Sequence, residues 1–183
     1  VLQGAIPTVT SNGHDGGKKA AQFLLDHGAT ELVVISGPSK LPTIRKRRDG
    51  FEEIAGKHLV ASIESPFHFQ GALGAANYLF DHYDCNGIFA ANDVIAAATI
   101  QVAAERGIAI PEQLQIIGYD GIELGQMISP PLTTIAQPIY QMGELAAKLL
   151  IQRIEGNEIA AVHHELMVEV IERETTKRKD EQL

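Results

Sequence analysis

The chain has a single cysteine, Cys85, which rules out an internal disulfide and suits a reducing compartment. No apolar run approaches the ~20 residues needed to span a bilayer. Positive charge is also in short supply. Fifteen Lys and Arg stand against 23 Asp and Glu, a net charge of −8 that argues against gripping nucleic acid through the bulk field. Seven histidines raise the question of a metal. None lies at helical or zinc-finger spacing with cysteine or carboxylate partners, and His163 and His164, adjacent on a predicted strand, point to opposite faces. Neither a metal nor a cofactor is expected.

Enzyme signatures are missing as well. Gly16-Gly17-Lys18 ends like a phosphate-binding loop, but that pattern needs glycine where Asn12 stands and Ser or Thr where Lys19 stands. No G-x-G-x-x-G follows a strand, no G-x-S-x-G elbow is present, and no close carboxylate pair stands out. Asp120 with His14 or His68 is left as the one conceivable acid/base pair. The first residues, VLQGAIPTVT, lack the basic start and long apolar segment of a signal peptide. They also lack an initiator methionine, so the chain reads as a fragment, cytoplasmic by location.

What is present is an ordinary globular composition, 45% hydrophobic and 21% charged over 183 residues, enough for one sizeable core. Apolar strands are predicted at 6–10, 32–36, 59–63, 87–90 and 115–118. Between them helices are predicted at about 15–27 with Asp15 as N-cap, 43–57, 69–83 and 93–106. A further helix runs to about Glu155 after Pro138, His164–Ile171 reads as one edge strand, and Glu172–Leu183 as a fraying tail. The Lys177-Arg178-Lys179 run reads as a solvated face. Regular alternation of strand and helix predicts an α/β fold with a doubly wound parallel sheet.

In such a sheet the carboxyl ends of the strands share one edge, where ligands bind. Thr43 and Arg47, Phe69, Asn92 and Asp120 follow four different predicted strands, so all five can converge on one crevice. Each also has a plainer reading. Thr43 can be a cap, Arg47 half of an ion pair, Phe69 core, Asn92 or Asp93 a helix cap, and Asp120 a turn residue. Arg47 falls at the edge of its helix's apolar stripe, with Arg48 flanking the other side as the alternative inward charge. An Arg, an Asp, an amide and an aromatic together suit a small polyhydroxylated ring.

Several motifs recur here in a fixed order. They are Gly37-Pro38 followed by Arg47 and Gly50-Phe51, then Ile88-Phe89-Ala90-Ala91-Asn92-Asp93, then GYDG at 118–121 and PPLTTIAQP at 130–138. The ordered set resembles the effector-binding core of the lactose/galactose repressor (LacI/GalR) family over roughly Ile6 to Val170. The resemblance implies a periplasmic-binding-protein-like fold (type I) and an effector held by Thr43, Arg47, Phe69, Asn92 and Asp120. That effector is a sugar or, less often, a purine. A sucrose- or ribose-type effector is the expectation, and Ile139 departs from an aromatic that some members carry. A periplasmic-type sugar-binding protein of a transporter is the alternative.

The resemblance also implies a domain layout. Residues 1–12 and the helix within 137–157 would belong to a truncated amino-terminal subdomain. Residues 13–136 and the return strand within 158–172 would form the carboxyl-terminal one, with 173–183 as tail. Strand 6–10 and helix 138–155 would then lack most of their packing partners and be displaced, docked on a neighbour or poorly ordered. A homodimer is expected through Asp93–Arg106, which is apolar nearly all round, and through the loop Leu124–Ile128. Operator DNA would be bound only through a headpiece absent from this chain.

Overall fold

Short runs of aliphatic and β-branched residues, each closed by a turn signal, become parallel strands buried on both faces. The computed structural model describes residues 6–157 and 163–178. The main sheet is ordered β3 (Leu59–Glu64), β2 (Leu32–Ser36), β4 (Gly87–Ala90), β5 (Gln115–Asp120), β6 (Thr133–Ala136), all parallel. β8 (Glu169–Ile171) closes its edge, antiparallel to β6. α1 (Gly13–Asp26) and α2 (Pro42–Ala55) cover one face, where Leu24, Phe51, Phe89 and Tyr119 meet. α3 (Phe69–His82) and α4 (Asp93–Glu105) cover the other, around Leu79, Ile88, Ile95 and Ile116. Among the described residues no helix is long and apolar enough to cross a membrane.

A second, two-stranded sheet pairs β1 (Thr8–Ser11) in parallel with β7 (His163–Leu166). α6 (Ile139–Ile154) lies against β1, and none of its residues is buried. His163 ties the pair together from its side chain, with Nδ1 2.7 Å from the Thr8 hydroxyl and Nε2 3.1 Å from that of Thr10.

Several expectations need correction. The first helix is capped by Asn12, whose Oδ1 accepts from the Asp15 N–H, so Asp15 sits in the first turn and pairs with Lys19 instead. The predicted single strand 164–171 is two strands in two sheets, broken at Met167-Val168. Strand β6 has no counterpart in the sequence reading. The expected loop at 124–128 contains a one-turn helix, α5 (Leu124–Met127), with Met127 76% exposed. α4 is apolar all round because it is enclosed within this chain, between the sheet, α3 and α5. Its exposed positions are mainly polar or small, and they include Gln101, Ala104 and Glu105. Its composition therefore no longer argues for a subunit interface.

The expected tail is not a tail up to residue 178, and 179–183 lie outside the described residues. Thr175 is fully buried. Its hydroxyl donates to the Ile116 carbonyl and accepts from the Thr133 N–H, while its carbonyl accepts from the Ile116 N–H. Thr176 meets the Thr133 hydroxyl at 2.9 Å. The segment thus satisfies backbone groups at the amino ends of β5 and β6, which buried strands cannot leave unpaired.

α1 and α2 touch backbone to backbone through glycine. A Cβ on Gly17 would lie 2.0 Å from the Arg47 carbonyl oxygen, and one on Gly50 2.0 Å from that of His14. The glycines that mimic a phosphate loop in the sequence are packing contacts. Gly50→Ala is expected to destabilise the chain by about 1–3 kcal/mol in urea unfolding, because backbone cannot yield as a side chain can. Gly74→Ala in α3, where a Cβ would meet nothing within 4 Å, is expected to stabilise by about 0.5–1 kcal/mol. Thr175→Val, which strips both hydroxyl bonds, is expected to cost about 1–3 kcal/mol in the same assay.

Candidate functional site

The close seating of α2 on α1 sends Arg47 over the carboxyl edge of the sheet. The residue is 8% exposed. Its Nη1 donates to the Ala91 carbonyl at 2.7 Å and pairs with Asp120 Oδ1 at 3.0 Å. The guanidinium carbon lies 3.6 Å from the centre of the Tyr119 ring, a cation–π contact on the core side. Arg48, the alternative inward charge, turns outward to Asp49 and Glu52.

Asp120 ends β5 with φ 116°, a conformation side chains rarely adopt and one that costs about 1–3 kcal/mol. Gly121 follows at φ 74°. Asp120 Oδ1 also accepts from Gln137 Nε2 at 2.8 Å, and Gln137 Oε1 accepts from the Ser11 hydroxyl at 2.6 Å. The Asp120 carbonyl accepts from the Gln137 N–H. Burial raises the Asp120 pKa above the usual carboxylate range; the charge and hydrogen bond of Arg47 offset part of that rise.

The structure brings the five candidate residues to one edge but joins them unequally. Thr43 and Arg47 line a cleft of about 360 Å3, walled also by Ser11, Lys46, Gln137 and Met142. Asp120 is bonded to two of those residues. Asn92 reaches the group through its neighbour, since Arg47 donates to Ala91; its own Oδ1 caps α4 by accepting from the Ile95 N–H. Phe69, 37% exposed, stands at the head of α3 on the same edge. Phe67 is equally exposed and stands over Gly37, where a Cβ would lie 2.2 Å from its ring. Sequence reasoning missed Ser11, Gln137 and the role of Tyr119. Gln137 had one available signal, being the polar residue that directly follows a buried T-T-I-A run.

Asp120 Oδ2 and Asn92 Nδ2 carry no hydrogen bond among the described residues. An acceptor beside a donor is a set that vicinal hydroxyls, which both donate and accept, can satisfy.

Behind the site, Asp93 is 0% exposed. Its Oδ1 accepts from the Thr134 hydroxyl at 2.6 Å and its Oδ2 from the Ile122 N–H at 2.8 Å. Burial pushes its pKa up to about 6, against the pull of those two bonds, and the nearby Asp120 charge adds to the rise. A carboxylate whose folded pKa exceeds its unfolded value near 3.8 holds its proton longer when folded. Its contribution to stability therefore falls as pH rises from about 4 to 6 and stays low above that. The shift is worth about 3 kcal/mol. The stability of Asp93→Asn relative to the unsubstituted chain is expected to rise by about that amount between pH 4 and pH 7, measured by urea unfolding at both.

Residues 21–176 match the periplasmic binding protein-like domain. The ribose operon repressor of Halalkalibacterium halodurans is 38% identical over 94% of this chain, and that of Bacillus subtilis 39% over 98%. The chain spans about half the length of these relatives, 53% and 56% respectively. A crystal structure of a LacI family transcriptional regulator from Enterococcus faecalis, with bound ribose, superposes with a TM-score of 0.87 at 34% identity. That match covers 96% of this chain and 65% of the other. These relatives are regulators rather than enzymes. By its matched domain, its fold and the relatives it aligns with, the chain belongs to the periplasmic binding protein-like family, on the side of the LacI-type transcriptional regulators.

Proposed function

We propose that this chain is the effector-binding core of a sugar-responsive transcriptional repressor and that its effector is ribose or a closely related sugar. The observation that carries the reading is the Arg47–Asp120 pair at the carboxyl edge of the sheet, with Asp120 Oδ2 still open. Such a pair meets adjacent ring hydroxyls with charge-assisted bonds on both the donor and acceptor sides. Asn92 adds a further donor, Thr43 a hydroxyl, and Phe69 an aromatic surface for the apolar ring face. The names of the relatives support ribose over sucrose, and repressor over transporter component.

The layout of the crossovers supports a two-lobed switch. Residues 13–136 and β8 make up one lobe, while β1, β7 and α6 belong to the other. The chain passes between them at Ser11–Asn12, Gln137–Pro138 and Met167–Val168. Ligand bound between lobes closes them and shifts an equilibrium between two subunit arrangements, which changes operator affinity. Contact with DNA and the homodimer itself fall to the full-length protein. On this chain Met127 is the exposed apolar residue of the proposed 124–128 contact.

The test is thermal unfolding of the full-length protein with ribose, sucrose and purine bases. A ligand at 100 times its Kd stabilises by about 2.7 kcal/mol, a shift of several degrees in Tm. Ribose is expected to give that shift, and Arg47→Ala and Asp120→Ala are each expected to abolish it. A shift from a purine alone would reassign the effector, and none from any of them would sink the site.

A further inference from the structure

The buried carboxylate of Asp93 has no part in the proposed contacts, yet it joins the strand beside Asp120 to the turn that follows it. It begins α4 immediately after Asn92. Through Oδ1 it holds Thr134 of β6, two residues before Ala136, which is the register partner of Asp120. Through Oδ2 it holds the N–H of Ile122, two residues after Asp120. The backbone between, Asp120 and Gly121, is the left-handed turn that aims the Asp120 side chain at Arg47. Gly118 makes room for the arrangement, since a Cβ there would lie 2.4 Å from Asp93 Oδ1.

We infer that Asp93 is a positioning residue for ligand binding, clamping the turn after β5 so that Asp120 stays in its unfavourable conformation with its carboxylate in the crevice. The inference rests on the reading of Asp120 as a ligand-binding group. An ionised carboxylate suits both partners, because each donates. Once protonated, the carboxyl keeps both partners only by donating from Oδ1 to the Thr134 hydroxyl, and both bonds lose their charge assistance. Those bonds favour the ionised form while burial favours the neutral one, so a clamp of this kind weakens as pH falls past about 6. The charged group facing Asp93 is Asp120 on β5, with Arg47 of α2 paired behind it. The neighbours from α4, β6 and the turn are Asn92, Thr134 and Ile122, none of them titratable.

The experiment compares Asp93→Asn, Thr134→Val and Thr134→Ser in the full-length protein, with D-ribose as probe. Calorimetric titration at pH 5 and pH 7 is paired with amide exchange at Ile122 and with unfolding of the unliganded proteins. Asp93→Asn is expected to raise the Kd at pH 7 at least tenfold and to speed Ile122 exchange at least tenfold, with the protein folded. Thr134→Val is expected to weaken binding in the same direction, and Thr134→Ser, which restores the hydroxyl, to bind within twofold of the parent. Parent affinity is expected to fall from pH 7 to pH 5 more steeply than that of Asp93→Asn. Equal binding by the parent, Asp93→Asn and Thr134→Val at pH 7 would overturn the inference. So would an equal pH slope in parent and Asp93→Asn, which would assign the titration to Asp120. If the parent binds no ribose, the ligand reading fails separately; Ile122 exchange then decides the clamp, unchanged exchange in Asp93→Asn refuting it.

Discussion

A guanidinium taken almost wholly out of water must have its donors met, or the charge is too costly to keep. At Arg47 that demand organises the carboxyl edge of the sheet. One nitrogen serves the end of β4 through Ala91 and the end of β5 through Asp120, while the ring of Tyr119 closes the face toward the core. Arg47 can reach this point because α2 lies backbone to backbone on α1, at glycines where any larger residue would force the helices apart. Asp120 can reach it because its backbone turns left-handed. Three separate features of the chain thus serve one ion pair.

Much of this was legible from residues. The order of elements, the parallel sheet and the convergence of four strand ends follow from periodicity and turn signals, and strands β2 and β4 were read to the residue. What was missed has physical reasons. β6 is four residues, T-T-I-A, too short to show a period and threonine-rich because its hydroxyls bond Asp93 and Thr176. Residues 172–178 look charged and apolar-poor, yet Thr175 is buried for its hydrogen bonds rather than its hydrophobicity, and composition does not register that. The apolar composition of α4 does not decide whether it meets a second subunit, because an apolar helix reads the same whether its own chain or another covers it. In the site, Arg47 and Asp120 could be brought to one edge of the sheet from the order of elements, whereas Ser11 and Gln137 come from the crossovers and meet only in three dimensions.

Local conformational rules also yield around Asp120. A non-glycine residue at positive φ and a fully buried carboxylate that titrates near 6 each cost stability, and both lie within one hydrogen-bonded cluster. A chain selected for stability alone would have glycine at 120 and a neutral residue at 93. Such departures from local preference concentrate at working sites.

The threonine stitch at 175 and 176 gives the domain a direction in time. Its bonds to Ile116 and Thr133 reach back 59 and 42 residues. During synthesis, at roughly 5–20 residues per second, β2 to β5 and the helices between them emerge and can associate well before that segment exists. Until it arrives, the amino ends of β5 and β6 hold backbone groups with water as their only partner. The nascent domain is therefore half-latched for a period set by translation. In that interval chaperones and proteases meet an open sheet end that the finished protein never displays.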